Sequence, residues 1–328
     1  MGDAGAMRIV IDTDPGMGTP GADPEDGMAI LYALRSPGVT VDGITLVAGN
    51  VPVSHAWPNA RRLLDLAGRP EVPLHAGAAG PREPARRPLQ TGWLAHRGTP
   101  PPDRGVAPSE DTAGAFLAET VIAAPGEITV VAIGPLTNIA AALEADPGVA
   151  AALGGLVIMG GTVAVPGNIT PAAEFNLWMD PEAAAIVFAS GVPITMIGLD
   201  VCHRTEFGRA AAQRLRASGT PLAEYLADAA EAWITVRAGL FADHENLHLY
   251  DTLAMAAAIE PDLIETRPAL VEIETSTGPA QGMTVTHLND TLRQLLTGRD
   301  HNALVAIDVD LDRFHARFTD RVLPPEPA

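Results

Sequence analysis

Short apolar runs alternate with Ala-rich segments of helical character along the first two hundred positions. The apolar runs lack an alternation of polar and apolar residues, which is typical of strands buried on both faces. The strand candidates are residues 7–12, 41–49, 128–134, 156–161 and 194–200. The helix candidates are residues 26–35, 56–67, 112–124, 137–145 and 181–190. This order predicts an α/β fold, with an open and mostly parallel sheet covered by helices on both faces.

The pattern changes in the later part of the chain. Residues 204–260 are mainly helical, and the part near 204–250 is expected to form a helical cap on the sheet. Residues 268–310 return to strand-like alternation, so we expect a mixed sheet. Residues 78–110 are rich in Pro, Arg and Gly, which is typical of a surface loop or flap. Because no repeat and no sharp boundary divides the chain, we expect residues 1–328 to form a single domain.

Composition narrows the possible partners and chemistries. The formal net charge of −19 disfavours nucleic acid and anionic membranes. We expect no membrane helix, which needs roughly 18 apolar residues, and no secretory signal. The single cysteine, Cys202, excludes an internal disulfide framework and favours a cytoplasmic protein. All 21 basic residues are Arg, which excludes Schiff-base chemistry on Lys and a phosphate-binding P-loop.

Five acids crowd the turn between the first strand and the first helix. They are Asp12, Asp14, Asp23, Glu25 and Asp26. This turn lies at the carboxyl end of a strand, where open α/β sheets bind ligands. Helix capping explains one acid, but five repel one another unless a positive charge lies among them. Because the chain has no Lys, we expect a hard divalent cation, and Ca²⁺ takes more protein oxygens than Mg²⁺ does.

A second interpretation of the Asp12–Asp14 pair is a phosphatase of the haloacid-dehalogenase type. In such enzymes the first Asp of a D-x-D motif is the nucleophile and the second is a general acid. They also hold the phosphate with a Lys, and this chain contains none. The sequence therefore disfavours a phosphatase.

Four further polar motifs follow predicted strands or begin a predicted helix. The motifs are "VAGN" (47–50), "AIGPLTNIA" (132–140), "MGGTVAVPGNITPAAEFNLWMDPEAA" (159–184) and "HLYDTLA" (248–254). They carry side chains with carboxylate or amide oxygens, namely Asn50, Asn168, Glu174, Asn176 and Asp251. Together with the acidic turn, these motifs fit a single polar site.

With "DTDPG" (12–16), these motifs resemble the inosine–uridine-preferring nucleoside hydrolases. The family's order is kept, and the spacing of "GN" five residues before "EFN", followed by "DPEAA", is highly specific. The motifs "GPAQGMTV" (278–285) and "NALVAIDVDLDRF" (302–314) continue the likeness, which covers roughly residues 7–318. The resemblance implies hydrolysis of a nucleoside, or another N-riboside, to base and ribose. It also implies a Ca²⁺ cofactor, a role in nucleoside salvage and a homodimer or homotetramer.

The resemblance also implies roles position by position. Asp14 would be both a Ca²⁺ ligand and the general base for the attacking water. The other metal ligands would be Asp26, the main-chain carbonyl of Ile133, and Asp251. The residues that would bind the ribose are Glu25, Asn50, Asn168, Glu174, Asn176 and Asp251. Asp12 would support the metal ligands from behind.

The acidic turn departs from the family pattern by its length. The step from Asp14 to Asp26 is 12 positions, which is seven more than in the family, and the extra residues are 17–23. We expect this insertion to fold outward as a loop rich in Gly and Pro. Asp23 is an alternative to Glu25 as the ribose ligand. We favour Glu25 because "EDGMAI" aligns directly with the family's "DDAxAL".

The residues expected near the leaving group also differ from the family pattern. Many family members place a His directly before the last metal-binding Asp, and this chain has Tyr250 there. Tyr is a weak acid at neutral pH, so Tyr250 and the neighbouring His248 are both candidates for the leaving-group acid. In the loosely similar flap at 92–105, His96 is a further candidate. The candidates for stacking on the base are Trp178, Trp233, Phe241 and Tyr250.

The altered leaving-group side also motivates an alternative function. A protein of this fold could bind ribosides or sugars without hydrolysing them, for example as a sensor. Release of free base from a riboside distinguishes an enzyme from such a binding protein.

Overall fold

The computed structural model describes residues 6–83, 86, 112–240 and 246–323. The flap at 92–105 with His96, and Phe241, lie outside the described residues. The strands of the first half are β1 (Met7–Thr13), β2 (Val39–Leu46), β3 (Leu74–Ala76), β4 (Ile128–Ala132) and β5 (Gly155–Met159). The helices of the first half are α1 (Glu25–Leu34), α2 (Val53–Leu66), α3 (Ala113–Ala123), α4 (Thr137–Ala145) and α5 (Gly148–Ala152).

The second half contains the remaining strands and helices. The strands are β6 (Ile194–Ile197), β7 (Phe207–Gly208), β8 (Asn246–Leu247), β9 (Ile264–Ile273), β10 (Thr284–His287) and β11 (Ala303–Val309). The helices are α6 (Phe175–Met179), α7 (Pro181–Ala189), α8 (Leu199–Cys202), α9 (Arg209–Ala217), α10 (Pro221–Leu240), α11 (Tyr250–Ile259), α12 (Asp290–Thr297) and α13 (Leu311–Arg321). Of the helices in the described ranges, none is both long and apolar enough to cross a membrane.

The described strands form a nine-stranded sheet in the order β10-β9-β11-β6-β5-β4-β1-β2-β3, with β7 and β8 in a separate ribbon. Neighbours from β3 to β11 run parallel, whereas β9 runs antiparallel to both β11 and β10. The predicted α/β fold with an open, mostly parallel and mixed sheet is confirmed. The segment near 204–250 contributes the β7–β8 ribbon, α9 and α10, in agreement with the predicted helical cap.

Both faces of the sheet are buried, which explains the uninterrupted apolar runs of the sequence. Ile9 and Ile11 of β1 belong to one apolar cluster together with residues of α1 and α11. Val10 points to the other face and belongs to a second cluster with Leu117 of α3 and Ile139 of α4. Neighbouring strand residues face opposite ways, so a strand covered on both sides needs apolar side chains at every position.

The prediction of strand-like structure over residues 268–310 is only partly right, because α12 interrupts it. Asn289 caps this helix by accepting the backbone N–H of Leu292 at 2.9 Å, and Gly298 ends it with a φ of 63°. Leu295 and Leu296 of the helix are exposed by 77% and 72%. The apolar residues of α12 therefore face outward, and the hydrophobic pattern misrepresents the element.

The register of the sheet gathers the carboxyl ends of the central strands at one edge. In β1, Asp12 pairs with Thr45 of β2 on one side and with Ala132 of β4 on the other. The residues that follow each strand, among them Asp14 and Ile133, consequently lie at the same edge. This edge is where ligands bind in open α/β sheets.

Candidate active site

Asp14 and Asp26 form the buried base of the site. The carboxylate of Asp26 accepts the hydroxyl of Thr13 at 2.6 Å and the backbone N–H of Asp14 at 3.2 Å. Neither carboxylate is exposed to solvent. The strand end and the first turn of α1 therefore hold two acids side by side, although 12 positions separate them.

Asn50, which follows β2, covers these two carboxylates. Its backbone N–H donates to Asp14 Oδ2 at 2.5 Å, and its side-chain Nδ2 lies 3.4 Å from both Asp14 Oδ1 and Asp26 Oδ2. Two glycines make room for Asp14, because a Cβ at Gly49 would overlap Oδ2 and one at Gly134 would lie 3.1 Å from Oδ1. The "VAGN" and "AIGPLTNIA" motifs thus shape the space around one carboxylate.

Asp12 supports the turn from inside the sheet. Its Oδ1 accepts the hydroxyl of Thr45 at 2.6 Å and Nδ2 of Asn138 at 2.7 Å. Asn138 also donates to the carbonyl of Leu46 at 3.2 Å. Asp12 therefore ties the ends of β1 and β2 to the first turn of α4, and it is fully buried away from solvent.

Glu25 connects the acidic turn to α11. Its Oε2 accepts the backbone N–H of Asp251 at 2.5 Å, and its Oε1 accepts the backbone N–H of Thr252 at 2.8 Å and the hydroxyl of the same residue. These are backbone groups of the first turn of the helix, which have no partner within the helix. Glu25 thus caps α11 from a distant part of the sequence.

The insertion at residues 17–23 does not fold outward, and that expectation is wrong. Met17 is fully buried, and its carbonyl accepts the hydroxyl of Tyr225 of α10 at 3.0 Å. Asn59 of α2 donates to the carbonyl of Pro15 at 2.9 Å and lies 3.0 Å from the hydroxyl of Thr19. The insertion is wedged between α2 and α10, because both helices offer it polar partners.

The polar loop after β5 supplies one wall of the site. Glu174 caps α6, since its carboxylate accepts backbone N–H groups of Asn176 at 2.8 Å and of Leu177 at 3.2 Å. Asn176 donates Nδ2 to the carbonyls of Met159 at 3.1 Å and of Ile133 at 3.3 Å. Asn168 accepts the backbone N–H of Phe175 at 2.9 Å. The "GN(5)EFN" spacing therefore lets each of the three polar side chains bond to nearby backbone groups.

A cavity of about 510 Å³ opens above these groups. The predicted site residues that line it are Glu25, Asn50, Ile133, Asn168, Glu174, Asn176, His248, Tyr250 and Asp251. Asp14 and Asp26 are not part of the wall and lie beneath Asn50, to which both are hydrogen-bonded. Asp23 also lines the cavity. The structure thus brings the predicted residues together from both halves of the chain.

The cap and α11 enclose the other side of the cavity. The ring of His248 is stacked on Tyr250, with centroids 5.5 Å apart, and His203 lies 5.4 Å from His248. Two of the candidates for stacking on a base, Trp233 and Tyr250, line the cavity, whereas Trp178 is not among the lining residues. The cap and the start of α11 therefore contribute most of the aromatic side chains of the lining, whereas most of its carboxylates come from the acidic turn and the loop after β5. These two parts of the lining form an aromatic side and an acidic side.

Three lining residues lie outside all of the sequence motifs, namely His203, Glu206 and Arg237. His203 follows β6 and α8, so its place after a predicted strand was a usable signal. Arg237 lies four positions after Trp233 on α10, which puts both on one face of the helix. Arg237 is buried, and its Nε donates to the carbonyl of Asn246 at 3.1 Å.

Burial and mutual repulsion raise the pKa of the acids in the site. Burial raises the pKa of Asp14 well above its ordinary value, and the charge of Asp26 raises it further. The pKa of Asp251 is raised by burial and then by the charges of Glu25, Asp26 and Asp14. Burial also raises the pKa of Asp26 to about 6, of Glu25 to about 8 and of Glu174 to about 7. The ionised site therefore favours binding of a cation.

The candidate cation donors are hard oxygen atoms. They are the carboxylates of Asp14, Asp26 and Asp251, whose charges repel one another, and the carbonyl of Ile133, a residue that lines the cavity. Such a set suits Ca²⁺ or Mg²⁺ better than metals that prefer nitrogen or sulfur. Within the described part of the chain, no three His, Cys, Asp or Glu side chains already stand as a metal-holding group. The fit of this site to a cation therefore rests on its oxygen donors and on the repulsion between its carboxylates.

Comparison with known proteins identifies the family to which this chain belongs. A family profile described as "Inosine-uridine preferring nucleoside hydrolase" matches residues 9–316. The chain belongs to this nucleoside hydrolase family. The family assignment makes it an enzyme, an N-ribosyl hydrolase, and confirms the resemblance drawn from the motifs.

The relatives of this nucleoside hydrolase match it along nearly their whole length. The pyrimidine-specific ribonucleoside hydrolase RihA of Salmonella enteritidis PT4 (strain P125109) is 35% identical over 319 residues, covering 97% of this chain and 98% of the relative. The solved plant nucleoside hydrolase PpNRh1 is 32% identical with a TM-score of 0.84, covering 98% of this chain and 100% of that one. A purine-preferring ribonucleoside hydrolase from Gardnerella vaginalis is 31% identical with a TM-score of 0.81, covering 96% and 98%.

Proposed function

We propose that this nucleoside hydrolase uses Ca²⁺ to hydrolyse the N-glycosidic bond of a ribonucleoside, releasing free base and ribose. The observation that carries the proposal is the pairing of three buried carboxylates with a cavity walled by amide and carboxylate groups. The acidic side suits a cation and a sugar diol, and the aromatic side suits a planar base. The phosphatase interpretation receives no support from the family assignment.

Asp14, Asp26, Asp251 and the carbonyl of Ile133 would hold the Ca²⁺. When bound, Ca²⁺ lowers the pKa of a coordinated water and holds sugar hydroxyls in place. The high pKa that burial and repulsion give to the Asp14 and Asp251 carboxyls falls in the presence of a cation, because the positive charge favours the ionised form. The carboxylates are then ionised, as a base requires.

Asp14 acts as the general base. Its carboxylate takes a proton from the attacking water while the water oxygen forms a bond to C1′ of the ribose, and the bond from C1′ to the base nitrogen breaks. The N–H of Asn50 and the space left by Gly49 hold the carboxylate in one orientation. Such positioning keeps the Asp14 carboxylate within reach of the attacking water.

The polar wall stabilises the ribose in the transition state. Cleavage of a glycosidic bond builds positive charge on the ring in an oxocarbenium-like state. Glu174 and the amide oxygens of Asn168 and Asn176 offer negative or partly negative groups for that charge. Their hydrogen bonds to backbone groups fix these side chains before the substrate arrives.

Tyr250 and His248 both stand on the leaving-group side. Burial raises the pKa of the Tyr250 phenol, so Tyr250 donates a hydrogen bond as a neutral group. His248 Nδ1 lies 2.7 Å from the carbonyl of Thr205, which makes Nδ1 a donor and leaves proton exchange to Nε2. A departing base takes its proton from one of these groups or leaves as an anion. The predictions of a homodimer or homotetramer, of a cytoplasmic location and of a single domain stay predictions.

A substrate panel tests the proposal directly. The relatives are named for pyrimidine and for purine substrates, so the panel contains uridine, cytidine, inosine, adenosine and nicotinamide riboside. Ribose release is measured on the purified protein with its metal content, before and after treatment with a chelator. We expect turnover of at least one riboside, loss after chelation and recovery with Ca²⁺. Thermal stabilisation by ribosides without release of base would instead favour the binding-only alternative.

A further inference from the structure

We propose that Asp23, which the seven-residue insertion carries into the cavity, accepts a hydrogen bond from a ribose hydroxyl in place of Glu25. This inference rests on the proposed function of the site as a riboside hydrolase. It assigns a specificity role to a residue outside the family's acidic motif. It also gives the insertion a function, since the insertion determines which carboxylate faces the sugar.

Glu25 is already engaged by the protein. Its two carboxylate oxygens accept two backbone N–H groups and one hydroxyl from Asp251 and Thr252, and the residue is 1% exposed. Three of the roughly four acceptor sites of this carboxylate are thus occupied. Turning Glu25 toward a ribose would weaken these bonds, and a buried N–H left without a partner costs about 1–3 kcal/mol. The alignment with the family motif therefore points to a carboxylate that serves as a helix cap.

Asp23 is held in the cavity wall by its own backbone and by its neighbour. Its Oδ1 accepts the backbone N–H of Glu25 at 3.1 Å, which sets the direction of the side chain. Its backbone packs against Gly16 so closely that a Cβ at that glycine would overlap the Asp23 carbonyl. Asp23 is only partly buried, in contrast to Asp14 and Asp26 beneath it.

The insertion is built rigidly enough to position a side chain. Two turns shape it, with the N–H of Thr19 bonded to the carbonyl of Gly16 at 3.0 Å and the N–H of Ala22 to the carbonyl of Thr19 at 3.1 Å. Gly18 and Gly21 have φ values of 85° and 76°, a region that favours glycine. With anchors on α2 and α10, the loop delivers Asp23 at a fixed place.

The surroundings of Asp23 are those of a sugar site. It shares the cavity with the polar residues Asn50, Asn168 and Asp251 and with the aromatic residue Tyr250. A carboxylate accepts hydrogen bonds from hydroxyl groups, and bonds to a charged group are stronger than those between neutral groups. Its partial exposure suits contact with a bound sugar, whereas Asp14 and Asp26 are fully buried and lie outside the cavity lining.

The test compares hydroxyl recognition between variants. The substrate is the riboside that the wild type hydrolyses fastest, together with its 2′-deoxy and 3′-deoxy forms, and kcat/KM is measured for each. The variants are Asp23→Ala, Glu25→Gln, Met17→Leu as a control within the insertion, and Asp146→Asn as a matched acid on the surface. Calcium affinity is measured by calorimetry on each variant.

We expect Asp23→Ala to lower the preference for the riboside over one of its deoxy forms by about tenfold to a hundredfold, with calcium affinity unchanged. The preference of Glu25→Gln and of both controls should equal that of the wild type. An unchanged preference in Asp23→Ala, or a loss of calcium binding, overturns the inference. A collapse of the preference in Glu25→Gln alone would return the role to Glu25. If the wild type hydrolyses no riboside, the proposed function itself is wrong.

Discussion

The Glu25 carboxylate accepts the backbone N–H of Asp251 at 2.5 Å, although 226 positions separate the two residues. With the bonds to Thr252, this contact closes α1 and α11 around the acidic turn. We predict that Glu25→Ala lowers the free energy of unfolding by about 2–3 kcal/mol, because buried N–H groups of α11 lose their acceptor. Denaturant unfolding followed by circular dichroism measures the loss.

Glu127→Ala serves as the matched control for that prediction. Glu127 is exposed by 65% at its side chain and pairs with Arg8 at 3.2 Å on the surface. Surface ion pairs contribute about 0–1 kcal/mol, so this variant should unfold close to the wild type. Equal stability of both variants would mean that the cap contributes no more than a surface pair.

Gly49 sets the position of Asp14. A Cβ at Gly49 would overlap Asp14 Oδ2, so we predict that Gly49→Ala lowers kcat by about a hundredfold while the protein stays folded. Gly278→Ala is the control, because an added Cβ meets nothing within 4 Å there. Steady-state kinetics and thermal melting of the two variants check this. Wild-type turnover in Gly49→Ala would show that the site tolerates a displaced Asp14.

Asp14→Asn tests the assigned base. We predict a loss of kcat by about 10²–10⁴-fold, the range of general base catalysis, with the circular dichroism spectrum unchanged. Asp42→Asn, at a partly buried carboxylate that pairs with Arg8 and does not line the cavity, should keep wild-type turnover. Retained activity in Asp14→Asn would contradict the role of this residue in proton transfer.

The raised pKa of Glu174 predicts how stability depends on pH in the presence of a chelator. Its ordinary pKa of 4.5 rises to about 7 in the fold because of burial. Between these values the folded protein keeps a proton that the unfolded chain has released. The free energy of unfolding therefore falls as pH rises through this window and is highest below it. The pKa values of Asp26 and Glu25 are raised in the same direction.

Thermal melting at pH 5, 6, 7 and 8 with a chelator checks this dependence. We expect the melting temperature to fall steadily with pH in the wild type. The slope between pH 5 and 7 should be smaller in Glu174→Gln, because that variant has no proton to release at this position. A melting temperature that rises with pH in the wild type would contradict the predicted sign.

Most of the sheet was predictable because both of its faces are buried. Ile9, Val10 and Ile11 are all completely buried, so hydrophobicity alone marks the strand. The same signal fails at α12, where Leu295 and Leu296 are exposed while Arg293 is 7% exposed. Pattern reading assumes that apolar residues face inward, and α12 violates that assumption.

The site was predictable where it depends on strand ends and not where it depends on distant contacts. Asp14 and Asn50 follow neighbouring strands, so the parallel sheet brings them together. The course of the insertion depends on Tyr225, which lies 208 positions after its partner Met17. The role of Glu25 likewise depends on a helix near the other end of the chain. The residues around each of these positions give no signal that predicts contacts with such distant parts of the chain.

The bond between Tyr225 and Met17 fixes one end of α10 to the acidic turn. Trp233 and Arg237, which line the cavity, lie farther along the same helix. The helix therefore joins the insertion at its start to the cavity wall farther along, where Arg237 donates to the carbonyl of Asn246 at 3.1 Å. A shift of the insertion would move the start of the helix that carries Trp233 and Arg237, so the length of a loop at one end of the cavity bears on side chains at the other end of α10.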